Sequence, residues 1–117
     1  MSACDVWDVV KVPFPYTNRP VHQYRPALVI ASSNGKTAPQ LLWVLMITSA
    51  ENRGWAGDVE LSNLDSAGLP VPSVVCTAKI ATIGRERAEK IGRLALPDRQ
   101  RVIDMVRNRL AVAGICP

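Results

Sequence analysis

The chain has 117 residues, 48% of them hydrophobic and 21% charged, with a formal net charge of +4. That length fits one domain around one core, residues 1–117, and the longest apolar run, residues 41–47, is far too short to span a bilayer. The N-terminus lacks the basic start and apolar core of a secretory leader, so a cytoplasmic protein with no membrane contact is expected. The three cysteines, Cys4, Cys76 and Cys116, are odd in number and widely spaced. With a single histidine, His22, and no Cys-x-x-Cys, they give neither a disulfide framework nor a zinc site. The basic balance favours an anionic partner, nucleic acid or an acidic protein. Nine of the 14 basic residues fall between Lys79 and Arg109.

In chain order, residues 6–14 are valine-rich and closed by Pro13, Phe14 and Pro15, and read as a first strand. Its alternation is imperfect, because Asp8 falls on the face that carries Val6, Val10 and Val12. A polar loop follows over residues 16–24. Residues 27–31, after Arg25-Pro26, are a second strand, and residues 41–47 a third. Both are apolar throughout, the pattern of strands buried on two faces. A loop with Arg53, Gly54, Trp55 and Gly57 leads to a short strand over residues 58–61. Pro70 and Pro72 bracket another connection. Residues 73–83 are a long β-rich stretch, 84–87 its turn, and 90–95 a last strand.

One helix is expected, over residues 97–113. Pro97 suits its first turn, Asp98 the positive end of its dipole, and Gly114 its stop. Val102, Ile103, Val106 and Leu110 make an apolar stripe, core or dimer contact, and the helix arginines read as a solvated face. The fold class is therefore mainly β with a C-terminal helix, a small barrel with a helix packed on it.

Five segments carry a resemblance. Asp5-Val6-Trp7 with Pro13-Phe14-Pro15-Tyr16-Thr17, and Arg25-Pro26 running into Ala27-Leu28-Val29-Ile30, are similar to the first two strands of the MazF/PemK family. Met46-Ile47-Thr48-Ser49 resembles the end of its third strand. Ser73-Val74-Val75 with Lys79-Ile80-Ala81-Thr82-Ile83 resembles the strand after that. Gly92-Arg93-Leu94 with Pro97-Asp98 resembles its last strand and the start of its helix. The order and spacing hold over nearly the whole chain. The resemblance implies an SH3-like β-barrel of the MazF/PemK (CcdB-like) type, a homodimer, and the toxin role in a type II toxin–antitoxin system. It further implies metal-independent, sequence-specific cleavage of single-stranded mRNA, and inhibition by an acidic antitoxin protein.

The candidate site follows from that chemistry. RNA is cut without metal when its own 2′-hydroxyl attacks the adjacent phosphate, which requires positioning, charge stabilisation and two proton transfers. By resemblance Arg25 and Thr48 match the family's catalytic Arg and Thr. Arg25 presents a permanently charged fork to phosphate oxygens, which suits charge stabilisation and not proton abstraction. Thr48 suits donation to a phosphate oxygen, and Ser49 is a second donor. His22, Gln23 and Tyr24 in the preceding loop, Arg53 in the next, and Lys79 are candidate substrate contacts. Each also reads as an ordinary loop or surface residue, and Thr48 as an ordinary β-branched strand residue. Some members carry Arg-x-Asp, an acid–base pair, where this chain has Cys76-Thr77-Ala78, and others carry Gln and Arg at the positions of Lys79 and Ala81. The acid and base are thus unassigned, and a non-catalytic or protein-targeting module of the same barrel is the alternative. No phosphate-binding loop, dinucleotide fingerprint or other cofactor motif is present, and no cofactor is expected.

Overall fold

The computed structural model describes residues 4–13, 24–33, 40–52 and 57–112. Six strands, β1 (Asp8–Pro13), β2 (Tyr24–Ser32), β3 (Leu41–Ser49), β4 (Val59–Glu60), β5 (Ser73–Gly84) and β6 (Glu89–Arg93), form one antiparallel sheet in the order β4-β5-β3-β2-β1-β6. A one-turn helix, α1 (Leu64–Ala67), precedes β5, and a long helix, α2 (Leu96–Val112), ends the described chain.

The all-apolar strands are buried on both faces over most of their length, as their pattern predicts, but Leu41 and Trp43 of β3 are exposed. On β3, Leu45 and Ile47 join one buried cluster with Val9, Leu28 and Val75, which α2 reaches through Val102. Leu42, Val44 and Met46 join a second cluster with Val10, Val12, Ala27 and Val29. Each such side chain contributes roughly 1.5–3 kcal/mol, and a strand loaded on both faces cannot slip register without exposing one of them.

The sheet is strongly bent. Leu45 faces Ile80 but Ile47 faces Val75, so the β3–β5 ladder slips by three residues around Cys76–Lys79. The register also shifts between Val9 and Val10 where β1 meets β6. Irregularities of this kind increase twist and curl a sheet on itself. Among the described residues, no hydrogen-bonded ladder joins the edge strands β4 and β6. The chain between β4 and β5 covers that gap instead: Asn63 caps α1 by accepting from Ser66 N–H, and Gly68 ends it at φ 72°. A side chain on Gly92 would sit 2.2 Å from the Ala67 carbonyl carbon, and one on Gly68 would sit 2.0 Å from the Ile91 oxygen. Backbone therefore lies on backbone, and the curled sheet is barrel-like.

Several details revise the sequence expectations. β1 starts at Asp8 and not residue 6, because Trp7 adopts a left-handed φ of 79°. Its N–H donates to Val29 O and its carbonyl accepts from Leu94 N–H, and these two bonds hold the conformation. β2 begins at Tyr24, three residues before the expected start, since β1 pairs through Val12↔Arg25 and Pro13↔Tyr24. β6 ends at Arg93 and not residue 95, and α1 was not anticipated.

Asp8, the flaw in the first strand's alternation, is fully buried and is the centre of a charge cluster. It accepts from Arg93 at 2.9 Å and from the Asp5 N–H at 2.8 Å, with Lys90 at 3.5 Å. The α2 arginines are not simply a solvated face. Arg99 donates to Leu94 O and lies 6.0 Å from the Trp7 ring, Arg101 bonds Asp98, and Arg109 donates to Thr77 Oγ1 at 2.8 Å. Arg107 alone of the four is exposed without such a bond being described.

Candidate functional site

Pro26 biases the residue before it to extended backbone, and Arg25 is accordingly part of β2. The β2–β3 register pairs Ala27 with Met46 and Leu28 with Leu45. Continued two residues outward, it brings Arg25 level with Thr48 at the same end of the sheet. Ser49 follows, paired with Ser73 of β5. These ends open into a groove of about 690 Å³ that holds Arg25, Thr48 and Ser49 together.

Arg25 is exposed, and Thr48 and Ser49 are half-buried. Ser49 Oγ accepts from the Glu51 N–H, which fixes its rotamer at the strand end. Apolar residues line it too: Pro26 and Ile47 of the strands, and Leu69, Pro70 and Val71 of the α1–β5 connection. A guanidinium and two hydroxyls among apolar residues suit a phosphodiester: charged donors meet oxygens, and low local polarity strengthens them.

Two ionisable linings escaped the sequence reading. Lys11 of β1 is exposed, faces Pro26 and Glu89 on its two neighbour strands, and lines the groove. Asp65 of α1 lines it as well. The cap residues Asn63 and Gly68 were the available signal for α1, but a four-residue helix has no periodicity to detect. Lys11 also lines an adjoining hollow of about 380 Å³ with Tyr24, Glu86 and Arg87. Tyr24, a candidate contact, is 54% exposed there.

His22, Gln23, Arg53 and the Lys79 side chain lie outside the described residues. On the strand where relatives hold an acid–base pair, Cys76 and Thr77 are buried. Thr77 Oγ1 donates to the Gly57 carbonyl at 2.9 Å and accepts from Arg109, so this position links β5, α2 and the segment leading into β4. Cys4 is also buried, and burial, reinforced by the Asp8 carboxylate, pushes its thiol up. Among the described residues, no group of three or more His, Cys, Asp or Glu side chains is placed to hold a metal ion, and no helix is long and apolar enough to cross a membrane.

The fold and the groove define a small curled β protein with a cleft lined by Lys11, Arg25, Thr48, Ser49 and Asp65 among apolar residues. Comparison with known proteins narrows the class. A family model described as the PemK-like, MazF-like toxin of type II toxin–antitoxin systems matches residues 5–113, and the chain belongs to that family. A MazF structure from Deinococcus radiodurans is 24% identical, with a TM-score of 0.71 over 95% of this chain and 99% of that one. A MazE–MazF structure from the same organism is 24% identical, with a TM-score of 0.70 over 94% and 97%. The Mycobacterium tuberculosis toxin MazF-mt6 is 21% identical, with a TM-score of 0.67 over 89% and 96%. These likenesses establish the fold. No curated protein sequence matches the chain.

Proposed function

We propose that this toxin is a metal-independent endoribonuclease that cuts single-stranded mRNA at a short sequence, leaving a 2′,3′-cyclic phosphate and a 5′-hydroxyl. The observation that carries the reading is the register that sets Arg25 level with Thr48 at the mouth of the groove, with Ser49 beside them. In this mechanism Arg25 binds the non-bridging phosphate oxygens and stabilises charge that grows in the phosphorane, and the Thr48 and Ser49 hydroxyls donate to the same oxygens. Tyr24 stacks on a neighbouring base, and His22, Gln23, Arg53 and Lys79 are further substrate contacts. A homodimer and an acidic antitoxin that covers the groove complete the proposal. Structures of MazE–MazF from D. radiodurans, and of a mycobacterial endoribonuclease with its cognate antitoxin (14% identical, TM-score 0.66), support that partner class.

The test is cleavage of a long defined RNA by purified protein in EDTA, beside Arg25→Ala. Cutting at a recurrent short sequence by the wild type alone is the expected result. Cutting that needs added Mg²⁺ overturns the mechanism. Intact RNA with both proteins folded favours the second reading, a toxin of the same fold that acts on a protein; the uncharged Cys76–Ala78 segment is the feature that points that way.

A further inference from the structure

Cleavage by 2′-hydroxyl attack moves two protons, and Arg25, Thr48 and Ser49 supply neither transfer at neutral pH: the guanidinium does not deprotonate and the hydroxyls are too weak. The strand that holds an acid–base pair in relatives is closed to that role here, with Thr77 buried and bonded to Gly57 and Arg109. The groove's described lining contains three ionisable side chains, Arg25, Lys11 and Asp65. The last two have opposite charge and come from different elements, β1 and α1.

We infer that Asp65 and Lys11 are the general base and the general acid of this toxin, a reading that rests on the ribonuclease function proposed above. In-line displacement puts the attacking and leaving oxygens on opposite sides of phosphorus, so base and acid must come from different walls. Asp65 stands on α1, whose place is fixed by the Asn63 cap and by the close approach of Ala67 and Gly68 to Ile91 and Gly92. Its carboxylate takes the 2′-hydroxyl proton as the 2′-oxygen–phosphorus bond forms. The Lys11 ammonium gives a proton to the 5′-oxygen as the phosphorus–5′-oxygen bond breaks. One proton is taken and one given, and water exchange returns both groups to their starting forms. Lys11 also lines the hollow with Tyr24 and Arg87, which places the leaving nucleotide on that side, its base against Tyr24.

The surrounding charges fit these roles. Asp65 shares the groove's lining with the cations Arg25 and Lys11. β6, on which α1 packs, carries Glu89, Lys90 and Arg93, the last two engaged with Asp8. Lys11 has Glu89 opposite it on β6, and it shares the adjoining hollow with Glu86, Arg87 and Glu89.

The deciding experiment measures single-turnover cleavage in EDTA of an RNA oligonucleotide that contains the mapped site, with either oxygen or sulfur at the scissile 5′ position. A thiolate leaves without protonation, its conjugate acid having a pKa of about 8.5. Lys11→Met is expected to slow the oxygen substrate by about 100-fold or more and to cut the sulfur substrate at close to the wild-type rate. Asp65→Asn slows both substrates by a similar factor and removes the acidic limb of the pH–rate profile, while unfolding at the wild-type temperature. Equal slowing of both substrates by Lys11→Met reduces Lys11 to a phosphate contact and overturns the acid assignment. An Asp65→Asn enzyme that is as fast as wild type, or keeps the acidic limb, overturns the base assignment. If the wild type cuts neither substrate, it is the ribonuclease reading itself that fails.

Discussion

Two regions of the molecule hold charge in opposite ways. At the β1–β6–α2 side, Asp8 and Asp98 are both fully buried and bonded on several sides. Asp8 has Arg93, Lys90 and the Asp5 N–H; Asp98 accepts from the Ser62 N–H at 3.0 Å and from Arg101. At the groove end, Lys11, Arg25 and Asp65 are exposed side chains around a cleft. A buried charge must be paired to repay its desolvation and then serves to fix the fold. An exposed charge at a cleft keeps most of its hydration whether or not it is paired, and it can still turn to a ligand. The same residue types thus separate into structural and functional sets by burial, and substitutions in the two regions should separate activity from stability.

The largest expected effect is on activity alone. Arg25→Ala should lower the cleavage rate by about 1000-fold, the upper range for removing one donor to a transition-state anion. Its thermal unfolding should match the wild type, and a coincident fall in stability would move Arg25 into the structural set. Asp8→Ala should do the reverse. Losing the bonds from Arg93 and the Asp5 N–H should cost about 1–3 kcal/mol in denaturant unfolding, and the protein that remains folded should still cut RNA.

Asp98→Ala is expected to cost about 1–2 kcal/mol near neutral pH and to show a distinctive acid dependence. Burial raises the Asp98 carboxyl, but donation by the Ser62 N–H and by Arg101 outweighs it, and the folded value lies below the ordinary 3.8. The stabilisation is therefore complete above pH 3.8 and is lost as pH falls through the lower folded value. The gap in stability between wild type and variant should be constant at neutral pH and shrink in strong acid; a gap that widens there would contradict the assignment. The smallest effect belongs to Arg107→Ala, on the exposed face of α2, where no change in unfolding temperature or cleavage is expected.

The segments that the sequence placed well are those whose signal is local. The apolar runs of β2 and β3 read directly as doubly buried strands, which holds except at the exposed Leu41 and Trp43, and α2 came within one residue of its start from Pro97, Asp98 and the stripe at Val102. Arg25, Thr48 and Ser49 were reached through the motifs around them, and they do share a groove. Asp8 and Arg109 were misjudged because their partners, Arg93 and Thr77, lie 85 and 32 residues away in the chain. No window of sequence contains such a pair.

The sequence by itself determined the alternation of strand and turn, the C-terminal helix, the family motifs and the basic character, since all of these follow from side chains within a few residues of one another. Only the tertiary structure decided which charges are buried and which face the cleft. It alone curled the sheet through the three-residue slip at Cys76–Lys79 and laid Gly68 against Ile91 to cover the open edge. It also carried Asp65 and Lys11, 54 residues apart, to one groove. The reason is that burial and long-range pairing are properties of the packed sheet: a side chain's neighbours across strands are set by register and twist, and not by its position along the chain.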